Sequence, residues 1–366
     1  MKKLYFTFFL LLLVFLMASS ALALDLSSKG AVLLEADSGS VLYGENENAR
    51  LPMASTTKIM TAITVLDNFP IDAVVKIPKD AVGIEGSSIY LCEGEELTIE
   101  ELLYALMLES ANDASVALAC ATAGSVEDFV SLMNEKALEL GLDDTHFENP
   151  HGLDGDEHYT TAKDLGILSC YAMKNPKFSE IVSTYKRVIP LNNGEGSRVL
   201  INHNKLLRSY DGAIGIKTGF TKKSGRCLVS CAERDGVMLV AVTLNAPNDW
   251  QDHKKMLDYG FERLVTVKLA DRGDYVFKLD VVNGTKDYVL ATNTEPLDIT
   301  LFKDNLNISA RLEYNRLLPA PISVGDYLGR IVFSNNDEDI CSLELFATES
   351  VKNINYKKSL LERLFG

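Results

Sequence analysis

Positive charge is what this sequence is short of: its 366 residues carry 36 lysines and arginines against 51 aspartates and glutamates, a formal net charge of −15. That balance excludes nucleic acid as a partner and argues against broad adhesion to anionic lipid. Long apolar runs are missing too. The run from Leu4 to Met17 falls short of the roughly 20 residues that a membrane-spanning helix needs. Lys2 and Lys3 precede it and Ala21-Leu22-Ala23 follows it as a small-x-small site, so residues 1–23 read as an export signal, with an uncleaved anchor as the alternative. No later stretch is long and apolar enough to cross a bilayer. The mature chain is therefore expected outside the cytoplasmic membrane, on its outer face or in the extracellular or periplasmic space.

Cysteine spacing is equally uninformative. Cys92, Cys120, Cys170, Cys227, Cys231 and Cys341 form no recognisable disulfide framework, and a chain of this length needs no staples. Cys227 and Cys231 would share a strand face about 13 Å apart, beyond disulfide reach. Most of the six are expected as buried free thiols. Metal-ligand spacing is absent as well: His146, His151 and His158 crowd an acidic, irregular stretch and lack the helical or hairpin spacing that zinc sites use. A zinc peptidase is thereby disfavoured, and no metal or cofactor is expected.

What is present is an ordered trio: Ser55-Thr-Thr-Lys58, Ser110-Ala-Asn112 and Lys217-Thr218-Gly219. Ser-x-x-Lys also occurs at Ser183 to Lys186 and Ser-x-Asn at Ser334 to Asn336, but only the set beginning at Ser55 runs in order, and Lys-Thr-Gly occurs once. The residue types suit nucleophilic catalysis. A serine hydroxyl needs an adjacent base, and Lys58 lies one helical turn from Ser55, on the same face. A lysine serves as that base when burial or another cation keeps it neutral. Lys217 would be that cation and also a clamp for a substrate carboxylate. Ser110 can relay a proton to a leaving amine, and Asn112 can hydrogen-bond a substrate amide. The plain alternative makes Ser55 a helix cap and Lys58 a solvated charge.

The pattern along the chain predicts two domains. Strands at Gly30 to Asp37 and Val41 to Tyr43 lead to a helix over Thr57 to Leu66 carrying Ser55 and Lys58 in its first turn. Helices follow over Glu100 to Leu108, Asp113 to Ala123, Val126 to Leu140 and Ala162 to Met173. Lys217 then lies on a strand, Asp235-Gly236 turns a hairpin between Cys227 to Ala232 and Val237 to Leu244, and a helix runs from Trp250 to Leu264. This is an α+β domain over 24–268, an antiparallel five-stranded sheet against a helical cluster. Short β-rich runs at Tyr275 to Val282, Lys286 to Ala291 and Leu297 to Phe302 predict a small all-β domain over 269–350. Asn283 and Asn307 begin glycosylation-like tripeptides that read as turn residues.

Leu51-Pro-Met-Ala-Ser-Thr-Thr-Lys-Ile-Met-Thr61, Ser110-Ala-Asn-Asp-Ala114, Asn149-Pro-His-Gly-Leu-Asp154 and Gly215-Ile-Lys-Thr-Gly-Phe-Thr221 resemble the serine D-alanyl-D-alanine carboxypeptidases, the low-molecular-mass penicillin-binding proteins of bacterial cell walls. The resemblance runs from about Gly30 to the C-terminus. It implies removal of the terminal D-alanine from peptidoglycan stem pentapeptides through an acyl-serine intermediate, with β-lactam antibiotics as inhibitors. It implies Ser55 as nucleophile, Lys58 as proton acceptor, Ser110 as proton relay and Asn112 as orienter of the peptide. Lys217, Thr218 and Gly219 would bind the substrate carboxylate and backbone, and the N–H groups of Ser55 and Phe220 would form the oxyanion hole. Two departures stand out. Phe220 replaces a histidine that some relatives carry after Lys-Thr-Gly, and His203 stands where some have arginine.

Two rivals share these features. A β-lactamase has the same nucleophile, but its class A form needs a Ser-Asp-Asn motif and a deacylating glutamate; only Glu148 could be argued for the latter. A catalytically inactive wall-binding protein is the other. At the C-terminus, Leu360, Leu361, Leu364 and Phe365 share one helical face beside Lys357, Lys358 and Arg363. Residues 351–366 are thus either an amphipathic membrane-associating tail or a helix packed on its own β-domain.

Overall fold

The structure is a computed structural model that describes residues 24–191 and 194–354. The leader over 1–23 and the tail from Lys357 to Gly366 lie outside the described residues. The chain forms two compact units: one runs to Arg234 and resumes over Met238–Gly260, and the other takes Asp235–Val237 and the residues from Phe261 onward.

The first unit is α+β. Its sheet has five antiparallel strands in the order Val41–Glu45, Gly30–Glu35, Val237–Leu244, Gly225–Arg234, Ala213–Thr221. Gly30–Glu35 is buried along its whole length, so it reads as a continuous apolar run and takes an interior place in the sheet. Gly30 pairs with Leu244 and Leu33 with Ala241, which joins the start of the unit to its end and completes the sheet. The turn between Gly225–Arg234 and Val237–Leu244 has Asp235 at φ 51° and Gly236 at φ 75°, the two positive values that a tight hairpin requires.

The helical cluster surrounds Lys58–Asn68, whose residues from Lys58 to Val65 are all buried; a helix buried on every side belongs in a core. Around it lie Ile99–Leu108, Asn112–Ala123, Val126–Glu139, Ala162–Met173 and Pro176–Ser183. Their starts are set locally. Thr98 and Glu101 form a reciprocal capping box, and Ser125, Thr161 and Asn175 each accept a backbone N–H, satisfying donors the helix itself leaves open. Asp249–Arg263 closes the set.

Several elements of the first unit were not foreseen, the paired strands Val74–Lys76 and Glu96–Thr98 among them. Pro176–Ser183 is a helix, and Lys186–Leu191 pairs with Gly196–Ile201 as a separate hairpin. Ile189 and Leu200 are buried on one face, but Val188, Val199 and Ile201 stand exposed on the other, so apolar residues on both faces hide the alternation. The cysteines are all unpaired, but only Cys170, Cys227 and Cys231 are buried; Cys120 and Cys341 are half-buried and Cys92 is exposed.

The second unit is all-β among its described residues beyond the end of the Asp249–Arg263 helix, apart from the short 3-10 turn Lys303–Asn305. Leu264–Ala270 pairs with Leu297–Phe302. A six-stranded sheet runs Ile308–Tyr314, Tyr327–Asn335, Glu338–Ala347, Tyr288–Thr292, Val276–Val282, Leu318–Pro319. Leu279, Val289, Ile331, Phe333, Leu345 and Val351 form its core.

One buried ion pair ties the unforeseen hairpin to the segment before Ile99–Leu108. Arg198 Nη2 donates to Glu95 Oε2 at 2.9 Å and Nε to the carbonyl of Ile89 at 2.8 Å. The two side chains are 9% and 1% exposed. Removing one partner of such a pair strands a buried charge, a loss of about 3–5 kcal/mol. Arg198→Ala is expected to lower stability on that scale in urea denaturation; a change under about 1 kcal/mol would place the pair among ordinary surface contacts.

Candidate active site

Ala54–Thr57 makes a single 3-10 turn that runs directly into the Lys58–Asn68 helix. Ser55 therefore sits in that tight turn, with Lys58 three residues on at the start of the α-helix, and not within an α-helix beginning at Thr57. Ala54 takes the left-handed region at φ 49°, an uncommon conformation that the surroundings must hold in place. The hydroxyls of Thr56 and Thr57 donate to the carbonyls of Met53 at 2.6 Å and Ala54 at 2.8 Å. Two glycines leave room for the turn. A Cβ on Gly219 would stand 3.0 Å from Ser55 N, and one on Gly152, at φ 90°, would stand 2.0 Å from Ala54 O.

Lys58 is completely buried. Its Nζ lies 3.3 Å from Ser55 Oγ and 2.7 Å from Asn112 Oδ1, and it also reaches the carbonyl oxygen of His151. The orientation of the Asn112 amide follows from its other end, because Nδ2 donates to the Glu85 carbonyl at 2.6 Å. Asn112 Oδ1 and His151 O can only accept. A neutral amine must give its two N–H bonds to them, which leaves its lone pair for the Ser55 hydroxyl. Burial first, and then the charge of Lys217, push the Lys58 pKa well below its ordinary value, with Asp113 opposing. Burial and the like charge favour the neutral amine, and in that form the two acceptors direct its lone pair at Ser55.

Lys217 is 2% exposed, and its Nζ donates to the carbonyl of Thr218 at 3.1 Å. Burial lowers its pKa to about 7, with Glu109 opposing. Its strand, Ala213–Thr221, passes the 3-10 turn at Gly219. Ser110 bridges the helices Ile99–Leu108 and Asn112–Ala123 at φ 60°, a left-handed kink that breaks the helical run. Ser55, Ser110, Thr218, Gly219 and Phe220 line one cleft of about 370 Å³, with Ser87, His203, Lys205, Arg226, Asp249 and Trp250 completing it. Lys58, Asn112 and Lys217 lie buried and are not among the cleft's lining residues. Ser183 instead caps its own helix, donating to the Glu180 carbonyl at 3.1 Å.

Several contributors were given no role by the sequence, although Asp113, Asn149 and His151 lie within the quoted motifs. Asp113 accepts from Ser88 Oγ at 2.6 Å and Leu91 N at 3.0 Å, which holds the segment bearing Glu85 against the site. His151 serves through its main-chain oxygen, and Asn149 Oδ1 fixes that turn by accepting from Gly152 N at 2.7 Å. The crowded histidines have separate structural partners. His158 Nδ1 accepts from Glu148 N at 3.0 Å, so its Nε2 proton faces Thr57 Oγ1 at 2.8 Å. Burial holds its pKa near 4, and that of His151 near 3. His146 Nδ1 faces the Glu157 carbonyl at 2.7 Å. Among the described residues, no group of three or more His, Cys, Asp or Glu side chains is placed to hold a metal ion. The Glu148 carboxylate accepts from Glu157 N at 3.2 Å and does not line the cleft.

A family profile described as D-alanyl-D-alanine carboxypeptidase matches residues 17–248, and one described as penicillin-binding protein 5, C-terminal domain, matches residues 265–353. The chain is 34% identical over 349 residues to D-alanyl-D-alanine carboxypeptidase DacF of Bacillus subtilis, covering 93% of this chain and 89% of that protein. It is 28% identical over 368 residues to DacA of Escherichia coli, covering 93% and 90%. Penicillin-binding protein 5 from Haemophilus influenzae superposes with a TM-score of 0.72 at 28% identity, over 90% of this chain and 99% of that one. A peptidoglycan synthesis regulatory factor (PBP3) from Streptococcus pneumoniae gives 0.76 at 26% identity, over 90% and 100%.

The two buried lysines should titrate apart from the others. In NMR spectra of lysine-labelled protein, Lys217 is expected to titrate near 7 and Lys58 far below the exposed lysines. Lys217→Gln removes a like charge, so the Lys58 midpoint should rise. An unmoved midpoint would contradict the coupling.

Proposed function

The chain belongs to the D-alanyl-D-alanine carboxypeptidase family of serine peptidases, and from that premise we propose that it removes the terminal D-alanine of peptidoglycan stem peptides with Ser55 as the acylated residue. The observation that carries the assignment is the Lys58 amine, dry and directed at Ser55 Oγ by two carbonyl acceptors. Ser55 Oγ attacks the carbonyl carbon of the penultimate residue while its proton passes to Lys58. The charge developing on the carbonyl oxygen falls to the N–H groups of Ser55 and Phe220. Ser110, which lines the cleft with Ser55, hands a proton to the departing amine as the C–N bond breaks. Water then releases the acyl group and restores Ser55. Penicillins acylate the same hydroxyl.

Lys217, Thr218 and Gly219 bind the terminal carboxylate and the substrate backbone. Because the Lys217 pKa in the free protein lies at about 7, an arriving carboxylate favours its charged form, and binding is linked to proton uptake. Both ends of the Asn112 amide are engaged within the protein, which supports a role in holding Lys58; orienting the peptide would fall to the second N–H of Nδ2. The unit ending near Gly260 carries all of this chemistry, and none of the proposed catalytic or substrate-binding residues lies in the β-rich unit. We place the enzyme outside the cytoplasmic membrane, exported by its leader. No single helix among the described residues is long and apolar enough to cross a membrane. The tail from Lys357 supplies weak peripheral contact with lipid.

Ser55→Ala is expected to abolish both penicillin labelling and D-alanine release, while Ser183→Ala leaves both intact; an adduct found elsewhere by intact-mass peptide mapping would sink the assignment. For the clamp, the ratio of kcat/KM for an acid substrate to that for its ester should fall as pH rises through 7, approaching tenfold per unit. A ratio flat with pH would remove Lys217 from carboxylate binding. Deleting Lys357 to Gly366 should abolish low-salt sedimentation with anionic liposomes; equal sedimentation of both forms would make the tail a structural element.

A further inference from the structure

The cleft does not end at the catalytic residues. His203, Lys205 and Trp250 line it on one side and, on the other, line an adjoining basin of about 1010 Å³ completed by Tyr185, Asn202, Asn204, Arg208, Ser209 and Lys254. The basin walls hold three full positive charges and no carboxylate, in a chain whose net charge is −15. None of Lys205, Arg208 and Lys254 has an ion-pair partner among the described residues. Aromatic rings position two of them. Arg208 stacks 4.7 Å above the Tyr185 ring and donates from Nη1 to its hydroxyl at 2.9 Å, and Lys205 Nζ stands 5.9 Å from the Trp250 centroid. Such stacking orients a cation without neutralising it.

A second observation is independent of charge. Asn204, 2% exposed, lines the basin, and its Nδ2 has no hydrogen-bond partner among the described residues. Its Oδ1 is taken by Leu206 N at 3.0 Å, so the amide cannot turn over without losing that bond. A buried donor left open is costly, and a bound acceptor that draws the Asn204 amide toward the basin would relieve that cost. Unpaired cations beside an open donor describe a receptor for a carboxylate.

We propose that this basin is a second carboxylate site, taking a free carboxylate of a peptidoglycan peptide other than the terminal one held by the Lys-Thr-Gly strand. The proposal rests on the carboxypeptidase reading above. The carboxylate belongs either to the donor peptide upstream of the scissile bond or to a second peptide whose amine displaces Ser55 Oγ from the acyl-enzyme, its proton returning to the serine oxygen.

The test uses the full chain with Arg208→Gln and Lys254→Gln combined, since both line the basin and neither lines the catalytic cleft. Donor substrates are a pentapeptide with a free upstream carboxylate, the same peptide amidated there, and a short acylated peptide lacking it. Acceptors are a carboxylate-bearing amine and its amide. If the donor fills the basin, the double variant raises KM for the carboxylated pentapeptide about tenfold, with kcat and both other donors unchanged. If an acceptor fills it, hydrolysis is unchanged and the yield of aminolysis product falls for the carboxylate-bearing amine alone. Equal behaviour of wild type and variant in both arms overturns the proposal. Benzylpenicillin labelling of the wild type is the separate check: if that fails at Ser55, the carboxypeptidase reading fails, whatever the basin does.

Discussion

Everything at this site depends on keeping the Lys58 amine dry. Exposed to water, a lysine is charged at neutral pH and cannot take a proton from a serine. Here the helix carrying it is buried from Lys58 to Val65, and the fold surrounds the amine with two acceptors that leave its lone pair for Ser55. A second buried lysine, Lys217, adds like-charge repulsion in the same direction. The arrangement costs stability, since a buried lysine is disfavoured in its charged form. It is held because several elements converge on it: the 3-10 turn, the Ser110 kink, the Asn149–Asp154 turn and the strand carrying Lys-Thr-Gly.

The sheet and the helical cluster divide that labour. Ala213–Thr221 can pass beside Ser55 N because Gly219 lacks a side chain, since a Cβ there would stand 3.0 Å from that nitrogen. From the other side, Gly152 allows the turn after Asn149 to slip beneath Ala54, which brings the His151 carbonyl to Lys58. The positive φ values at Ala54 and Ser110 fall at the two points where the chain must present a serine to the cleft. Strain of this kind survives where the surrounding packing over-determines it.

Much of this was legible in the sequence because the chemistry is carried by local patterns. Ser55 and Lys58 are three residues apart, and Lys217 to Gly219 are contiguous, so their proximity needs no tertiary knowledge. The Asp235-Gly236 turn and the strand Leu297–Phe302 were equally readable. What stayed hidden acts through the main chain or through distant contacts. The Glu85 and His151 carbonyls have no residue-type signature, and Asp113 looks like any acid in a first helical turn until it is seen gathering N–H groups. The Lys186–Leu191 hairpin escaped because Val188, Val199 and Ile201 put apolar residues on its solvent face as well as on its buried one. Asn204 and Lys254 are far apart in sequence, so their basin is visible only in three dimensions.

The central claim is that neutral Lys58 is the base for acylation of Ser55. Its most direct test replaces Lys58 by cysteine in a Cys92→Ser background and alkylates it to the thia analogue of lysine, whose amine is less basic at nearly the same length. Penicillin acylation rates are then followed against pH. The account predicts that the acidic limb of the profile moves to lower pH while acylation still occurs at Ser55. An acidic limb that stays where it was in the unmodified enzyme would mean that some other group takes the serine proton.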